Sequence, residues 1–183
     1  MGFLDWFFRT GSWVEEETFQ LLKNTPIFRD LRSSDYRKLA DLLHESHYQE
    51  GERVFSEGDP SSAIYIARQG SVRLFREDAT GNRVELHTIS EGDFFGELAL
   101  CRGIERSSSA EAKTELTLMG IFRQELEEFI QKEPQSGLAI YRNIVQVLGQ
   151  RLYNSNDQLE SITTELEMMR EMNEQQEAKS DSG

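Results

Sequence analysis

The chain has 183 residues, which is enough for one well-packed domain with extensions but not for two domains of ordinary size. Its formal net charge of -13 argues against a protein that wraps nucleic acid, because such binding needs lysines and arginines to neutralise phosphates. Cys101 is the only cysteine, which excludes an intrachain disulfide and leaves a cytoplasmic location as the expectation.

The chain begins with an aromatic segment, residues 1–14, whose apolar run is interrupted by Asp5 and Arg9. The run is too short to cross a bilayer and lacks the basic start of a secretion signal. Two roles stay open: packing on the domain or on a second subunit, or docking on a partner or a membrane. Packing is favoured, and membrane contact is not, because no basic cluster accompanies the aromatic residues.

Apolar residues recur at helical spacing over residues 15–47, and Pro26 divides this stretch into two short helices. Because the helical spacing extends to residue 47, it predicts that His44 and His47 lie at the end of a surface helix. The first part of the chain is therefore predicted to be helical.

After Gly51 the pattern changes to short alternating runs separated by glycine turns, which is typical of antiparallel strands. His87 falls in one of these strands as an exposed residue. One more strand is expected at residues 116–121, after an irregular stretch, and helical spacing returns from Gln124.

A seven-residue apolar repeat follows and indicates a coiled coil. Its two core positions hold Leu138, Val145, Leu152, Leu159 and Leu166, and Tyr141, Leu148, Ser155, Ile162 and Met169. The β unit could cover the first part of this stripe, but not the last part. Residues 136–172 are therefore predicted to form a long helix in a parallel homodimeric coiled coil, and residues 173–183 an acidic disordered tail.

The irregular stretch between the strands carries the chemistry, and with its neighbours it reads FGELALCRGIERSSSA over residues 95–110. Gly96 lets a ligand approach the backbone. The apolar residues Leu98 and Ala99 can begin a one-turn helix, whose backbone N–H groups bind an anion. This composition points to an anion site instead of a simple turn.

Two charged residues refine that interpretation. Arg106 can donate a charge-assisted pair of hydrogen bonds to the anion, and the hydroxyl of Ser107 follows it directly. Glu97 would repel a free phosphate, unless its carboxylate accepts hydrogen bonds from hydroxyl groups of the ligand. A sugar phosphate satisfies both residues.

The FGELAL motif, with Arg106 nine residues after Glu97, resembles the phosphate-binding cassette of the cyclic-nucleotide-binding domain family. The glycine turns from Tyr48 to Gly70 resemble the first strands of that family. The resemblance implies an α+β fold, an eight-stranded antiparallel β-roll of jelly-roll type with N-terminal helices and a long C-terminal helix. Residues 15–135 would form this domain.

The resemblance also implies the ligand contacts. Glu97 would hold the ribose 2′-hydroxyl and Arg106 the cyclic phosphate, helped by the backbone amides of Gly96 and Leu98. The same site is expected to include Ala99, Ser107, Ser108 and Leu86. No metal and no cofactor is predicted beside the nucleotide.

The identity of the base is inferred from two further short segments of the sequence, residues 105–107 and residues 151–156. The Glu105-Arg106-Ser107 sequence resembles the bacterial catabolite activator proteins, whose long helix places two polar residues on the base after an Arg-Leu pair. Ser155 and Asn156 follow Arg151-Leu152 in the matching place. These two residues favour cAMP, whereas a serine after the cassette arginine can also serve guanine and keeps cGMP as the alternative.

The hypothesis is a stand-alone cyclic-nucleotide sensor, a dimeric adaptor that moves its C-terminal helix and acts on an unidentified downstream protein. A transcription factor is disfavoured, because residues 154–183 contain eight acids and two bases. An enzyme is disfavoured because the histidines lie apart from the cassette. The alternative is a structural dimer with a degenerate, non-binding cassette, in which Glu97 and Arg106 form an internal salt bridge.

Overall fold

The computed structural model describes residues 16–101 and 103–180. The aromatic segment 1–14 and residues 181–183 of the predicted tail lie outside the described residues. The chain divides into two compact units, Met1–Ile144 and Val145–Gly183. No helix in the described residues combines the length and the apolar character that a bilayer span requires.

Helical elements come first, as predicted. Helix α1 covers residues 16–24. A 3-10 turn, Pro26–Phe28, begins at the proline, because proline has no N–H to leave unpaired and its φ suits a helix start. Helix α2, Ser33–Ala40, buries Tyr36 and Leu39 on one face.

Eight antiparallel strands form two four-stranded sheets, which confirms the predicted β-roll. The strands are β1 (His44–Tyr48), β2 (Arg53–Phe55), β3 (Ala63–Gln69), β4 (Val72–Glu77), β5 (Arg83–Ile89), β6 (Phe94–Phe95), β7 (Ser109–Ala112) and β8 (Leu116–Phe122). The strand orders are β1-β8-β3-β6 and β2-β7-β4-β5. Both sheets contribute to one apolar core, formed by Ala67, Val72, Ile89, Phe95, Ala110, Ala112, Leu116 and Leu118.

Strand β1 corrects one prediction, because His44 and His47 lie on this strand and not at the end of a helix. Every residue of β1 is paired with a residue of β8. The imidazoles contact Glu125 at 2.9 Å and Thr117 at 3.2 Å. Helical spacing alone gave the wrong answer here because strand pairing over a long sequence separation outweighs local preference.

Two helices follow β8: α3, Arg123–Lys132, and α4, Pro134–Ser180. Helix α4 begins two residues before its predicted start and continues eight residues past its predicted end, so the predicted disordered tail is helical as far as Ser180. The tail lacks an apolar repeat, but its Glu, Gln, Ala and Lys residues have high helix propensity. The coiled-coil dimer stays a prediction.

A buried polar cluster joins α2 to the first turn of α4. The Asp35 side chain is 0% exposed and accepts hydrogen bonds from Ser136 Oγ and, at 2.8 Å, from Arg32 Nε. Glu133, which caps α3, pairs with Arg32 at 2.9 Å and with Lys38. Burial raises the pKa of Asp35, but these hydrogen bonds outweigh it and bring that pKa below its ordinary value.

We expect Ser136→Ala to lower the free energy of unfolding by about 1–3 kcal/mol at neutral pH, because the charged Asp35 loses a buried donor. The folded-state pKa of Asp35 is depressed, so its stabilisation is present above the unfolded pKa and is lost as the pH falls through the folded pKa. Urea denaturation at about pH 7 and about pH 3 should show a smaller effect at the lower pH. Ser161→Ala, on the exposed part of α4, is the control; equal losses at both pH values would contradict the assignment.

Candidate functional site

The cassette, defined as residues 96–109, begins at Gly96 after β6. Gly96 has φ +79°, in the left-handed region, and a 3-10 turn, Glu97–Leu100, follows it. The backbone N–H of Ala99 donates to the Gly96 carbonyl at 3.0 Å, so the predicted one-turn helix is present as a 3-10 turn. A Cβ atom at residue 96 would lie 2.6 Å from Arg106 Nη1. Glycine is required here both for its backbone conformation and for space.

Arg106 lies at the far end of the cassette and is 6% exposed. Its Cζ atom is 4.1 Å from the ring centroid of Phe55 and 5.4 Å from that of Tyr65. Its Nη2 donates to the Ala63 carbonyl at 2.9 Å. Burial lowers the pKa of Arg106 below its ordinary value, and an arginine nevertheless stays protonated at neutral pH.

Two nitrogens of this guanidinium group, Nε and Nη1, are buried and have no hydrogen-bond partner among the described residues. Buried N–H groups are almost always paired, because leaving one unpaired costs free energy. The donors of Arg106 are therefore suited to an acceptor that comes from outside the chain. Their position beside Gly96 and the positive charge of the group fit an anion.

Glu97 lies in the 3-10 turn and is half-buried. Burial is the main cause of the low pKa of Arg106; Tyr65, then Asp59 and, least of the three, the negative charge of Glu97 act in the opposite direction. The electrostatic interaction between the two predicted ligand-binding side chains is therefore weak. A carboxylate only accepts hydrogen bonds, so Glu97 suits hydroxyl groups and Arg106 suits a phosphate.

The serines after Arg106 differ in their surroundings. Ser107 is exposed, and its carbonyl accepts a hydrogen bond from Arg76 Nε at 2.6 Å. Ser108 is buried. Ser109 is also buried, and its Oγ accepts a hydrogen bond from the Glu57 amide at 3.0 Å, which fastens the end of the cassette to the loop after β2. Contacts of Ser107 and Ser108 with a ligand stay predictions.

Three other predicted contacts lie outside the cassette. Leu86 is on β5, the edge strand of its sheet, and is 51% exposed. Ser155 and Asn156 are exposed on α4, in the second compact unit. Their contacts with a base stay predictions.

The structure adds residues that the sequence reasoning missed. Phe55 and Tyr65 support the guanidinium group, and the carbonyl of Ala63 accepts one of its hydrogen bonds. The two aromatic residues stand in predicted strands, but nothing in the local pattern assigns them to the cassette. Within the described residues, no group of three or more His, Cys, Asp or Glu side chains could hold a metal ion.

Comparison with known proteins agrees with this geometry. The family profile of the cyclic nucleotide-binding domain matches residues 45–133. This part of the chain belongs to the cyclic-nucleotide-binding domain family. The family match includes β-roll residues on both sides of the cassette, together with Gly96, Glu97 and Arg106.

Relatives of this cyclic-nucleotide-binding domain occur in proteins of several kinds. The cyclic AMP receptor protein of Thermus thermophilus is 28% identical over 144 residues, 79% of this chain and 65% of the relative. A cGMP-dependent protein kinase of Drosophila melanogaster is 36% identical over 93 residues, 50% of this chain and 10% of the kinase. The crystal structure of Thermus thermophilus catabolite activator protein has a TM-score of 0.67 and 28% identity, covering 75% of this chain and 63% of that chain. The chain thus spans less than two thirds of each of these proteins.

Proposed function

We propose that the chain is a regulatory sensor that binds a cyclic nucleotide in the cassette. The observation that carries this proposal is the buried guanidinium group of Arg106, whose Nε and Nη1 have no acceptor among the described residues. The cyclic phosphate would accept hydrogen bonds from these nitrogens, close to the backbone of Gly96. The carboxylate of Glu97 would accept a hydrogen bond from the ribose 2′-hydroxyl. The function is binding and regulation, not catalysis.

We propose adenine as the base. The cyclic AMP receptor protein of Thermus thermophilus is similar over 79% of this chain, whereas the cGMP-dependent kinase is similar over 50%. The polar pair Ser155 and Asn156 also favours adenine. Specificity of this kind depends on one or two hydrogen bonds to the edge of the base.

We expect cAMP to bind about five- to tenfold more tightly than cGMP, since one hydrogen bond is worth about 1 to 1.4 kcal/mol. Isothermal titration calorimetry with each nucleotide measures the difference. A ligand that binds only the folded state also raises the melting temperature, so thermal denaturation is an independent readout. Equal affinities would contradict the adenine preference. No binding of either nucleotide would contradict the function and favour the structural dimer with a degenerate cassette.

The output of the sensor is proposed to be a dimer formed by α4. In the second compact unit Leu148 is half-buried, and six other large side chains of the heptad positions are 53–69% exposed. These six are Val145, Leu152, Leu159, Ile162, Leu166 and Met169. An exposed apolar stripe of this length marks a surface that another molecule covers. A second copy of the same helix covers it by knobs-into-holes packing.

Charges beside the stripe favour a parallel dimer in register. With Leu152 at heptad position a, Glu165 falls at position g and Arg170 at the following position e, which face each other between parallel helices. The preceding pairs of this kind, Arg151 with Asn156 and Gln158 with Thr163, place no like charges together. In this arrangement a nucleotide-dependent change in α4 alters a surface that a downstream protein can recognise.

A further inference from the structure

Arg123, the first residue of α3, reaches two backbone carbonyls close to the cassette. Its Nη1 donates to the Ala99 carbonyl at 3.3 Å and to the Ser61 carbonyl at 3.4 Å. Its backbone N–H donates to the Ser62 carbonyl at 2.8 Å. A single residue therefore connects the cassette turn, the loop before β3 and the start of α3.

The Ala99 carbonyl is an effective point at which to hold the cassette. Ala99 is 0% exposed, and its amide donates to the Gly96 carbonyl within the 3-10 turn. A single helical turn fixes many backbone dihedral angles for few hydrogen bonds, so it depends on contacts from outside. Fixing Ala99 also fixes Gly96, against which the guanidinium group of Arg106 lies.

Residues 61–63, which end the loop before β3 and begin that strand, receive hydrogen bonds from both arginines. Arg123 donates to Ser61 and Ser62, and Arg106 donates to Ala63. The guanidinium group of Arg106 and, through Arg123, the cassette turn are thus both held by hydrogen bonds to residues 61–63. Replacing Arg123 would remove the hydrogen bonds from its side chain to the Ala99 and Ser61 carbonyls, but it would remove no group that is proposed to contact the ligand.

We propose that Arg123 is a positioning residue for cyclic-nucleotide binding, which holds the cassette turn in its binding conformation through the Ala99 carbonyl. The inference rests on the proposed function of the cassette. It has a structural consequence: the turn cannot change its conformation without moving the first turn of α3 or breaking the hydrogen bonds of Arg123.

Hydrogen exchange of the ligand-free protein tests the first half of the proposal. Arg123→Met keeps the length of the side chain but removes its donors, and Arg123→Lys keeps a donor. We expect the amides of Ala99 and Cys101, which are hydrogen-bonded within the turn, to exchange at least about tenfold faster in Arg123→Met. Arg123→Lys should restore most of the protection. Unchanged exchange, or a rise of equal size in β3 and β8, would overturn the proposal.

Affinity for cAMP tests the second half. We expect Arg123→Met to weaken binding about five- to tenfold and Arg123→Lys to recover most of the loss. Lys132→Met, an exposed residue of the same helix paired with Glu128 at 3.9 Å, is the matched control and should bind as the wild type does. Wild-type affinity in Arg123→Met would contradict the role of Arg123 but leave the proposed function of the cassette intact. A wild-type protein that binds neither cAMP nor cGMP would contradict the proposed function, and the exchange experiment would still decide whether Arg123 holds the turn.

Discussion

Replacing Arg106 with alanine should weaken cAMP binding by about 30-fold or more, which corresponds to about 2 kcal/mol. The reason is that the substitution removes a positive charge and two buried donors, Nε and Nη1, for which the described residues provide no acceptor. Titration calorimetry measures the loss. Arg37→Ala, on the exposed side of α2, removes the same kind of charge and should leave binding unchanged.

The stability of the ligand-free protein separates this account from the alternative of an internal salt bridge. In our account the guanidinium group of Arg106 is poorly satisfied without ligand, so replacing it with an apolar side chain of similar length should cost little. Arg106→Met should therefore keep or raise the ligand-free melting temperature while losing the stabilisation by cAMP. A strong loss of ligand-free stability, with no nucleotide effect in the wild type, would support the degenerate cassette instead.

Leu159→Glu should convert the protein from a dimer to a monomer at micromolar concentration. The substitution would bring two carboxylates together between the apolar stripes of the two helices, where burying an unpaired charge costs several kcal/mol. Light scattering coupled to size-exclusion chromatography measures the mass of each variant. Glu160→Ala, at the neighbouring outward position, should remain a dimer. A wild-type chain that is monomeric under these conditions would rule out the coiled coil.

The direction of the two helices can be tested by cross-linking. Cys101 is the only native cysteine, so Ile162→Cys in a Cys101→Ser background gives one thiol per chain. In a parallel dimer in register the two thiols share one core layer and can form a disulfide on oxidation. Tyr153→Cys, at an outward heptad position, should not cross-link. Cross-linking at neither position would contradict the parallel arrangement.

Much of the architecture was accessible from the sequence because its signals are local. Alternating runs between glycine turns predict antiparallel strands, and the family resemblance of the cassette implies an eight-stranded β-roll; the eight antiparallel strands confirm both. The short spacing between Gly96, Glu97 and Arg106 identifies the cassette, since the three residues occupy one loop. The apolar heptad repeat of α4 can also be read directly from the sequence, because its residues recur every seven positions. The dimer that the repeat predicts stays a prediction.

The remaining features depend on contacts between residues distant in the chain. Strand β7 has the sequence SAEA, with little β propensity, and it is a strand because β2 and β4 pair with it on both sides. The aromatic and carbonyl partners of Arg106 lie about 40 to 50 residues before it, in β2 and β3, and only folding brings them together. The contact of Arg123 with Ala99 likewise joins α3 to the cassette.

The sequence by itself therefore determined the order of helices and strands over most of the chain, and it placed the two charged residues Glu97 and Arg106 in one loop. The tertiary structure alone decided that Arg106 is buried against aromatic rings with two donors that find no acceptor among the described residues, and that Arg123 donates to the Ala99 carbonyl of the turn beside it. The physical reason is that charge and spacing are properties of the chain, whereas burial and hydrogen-bond satisfaction are properties of the packed neighbours.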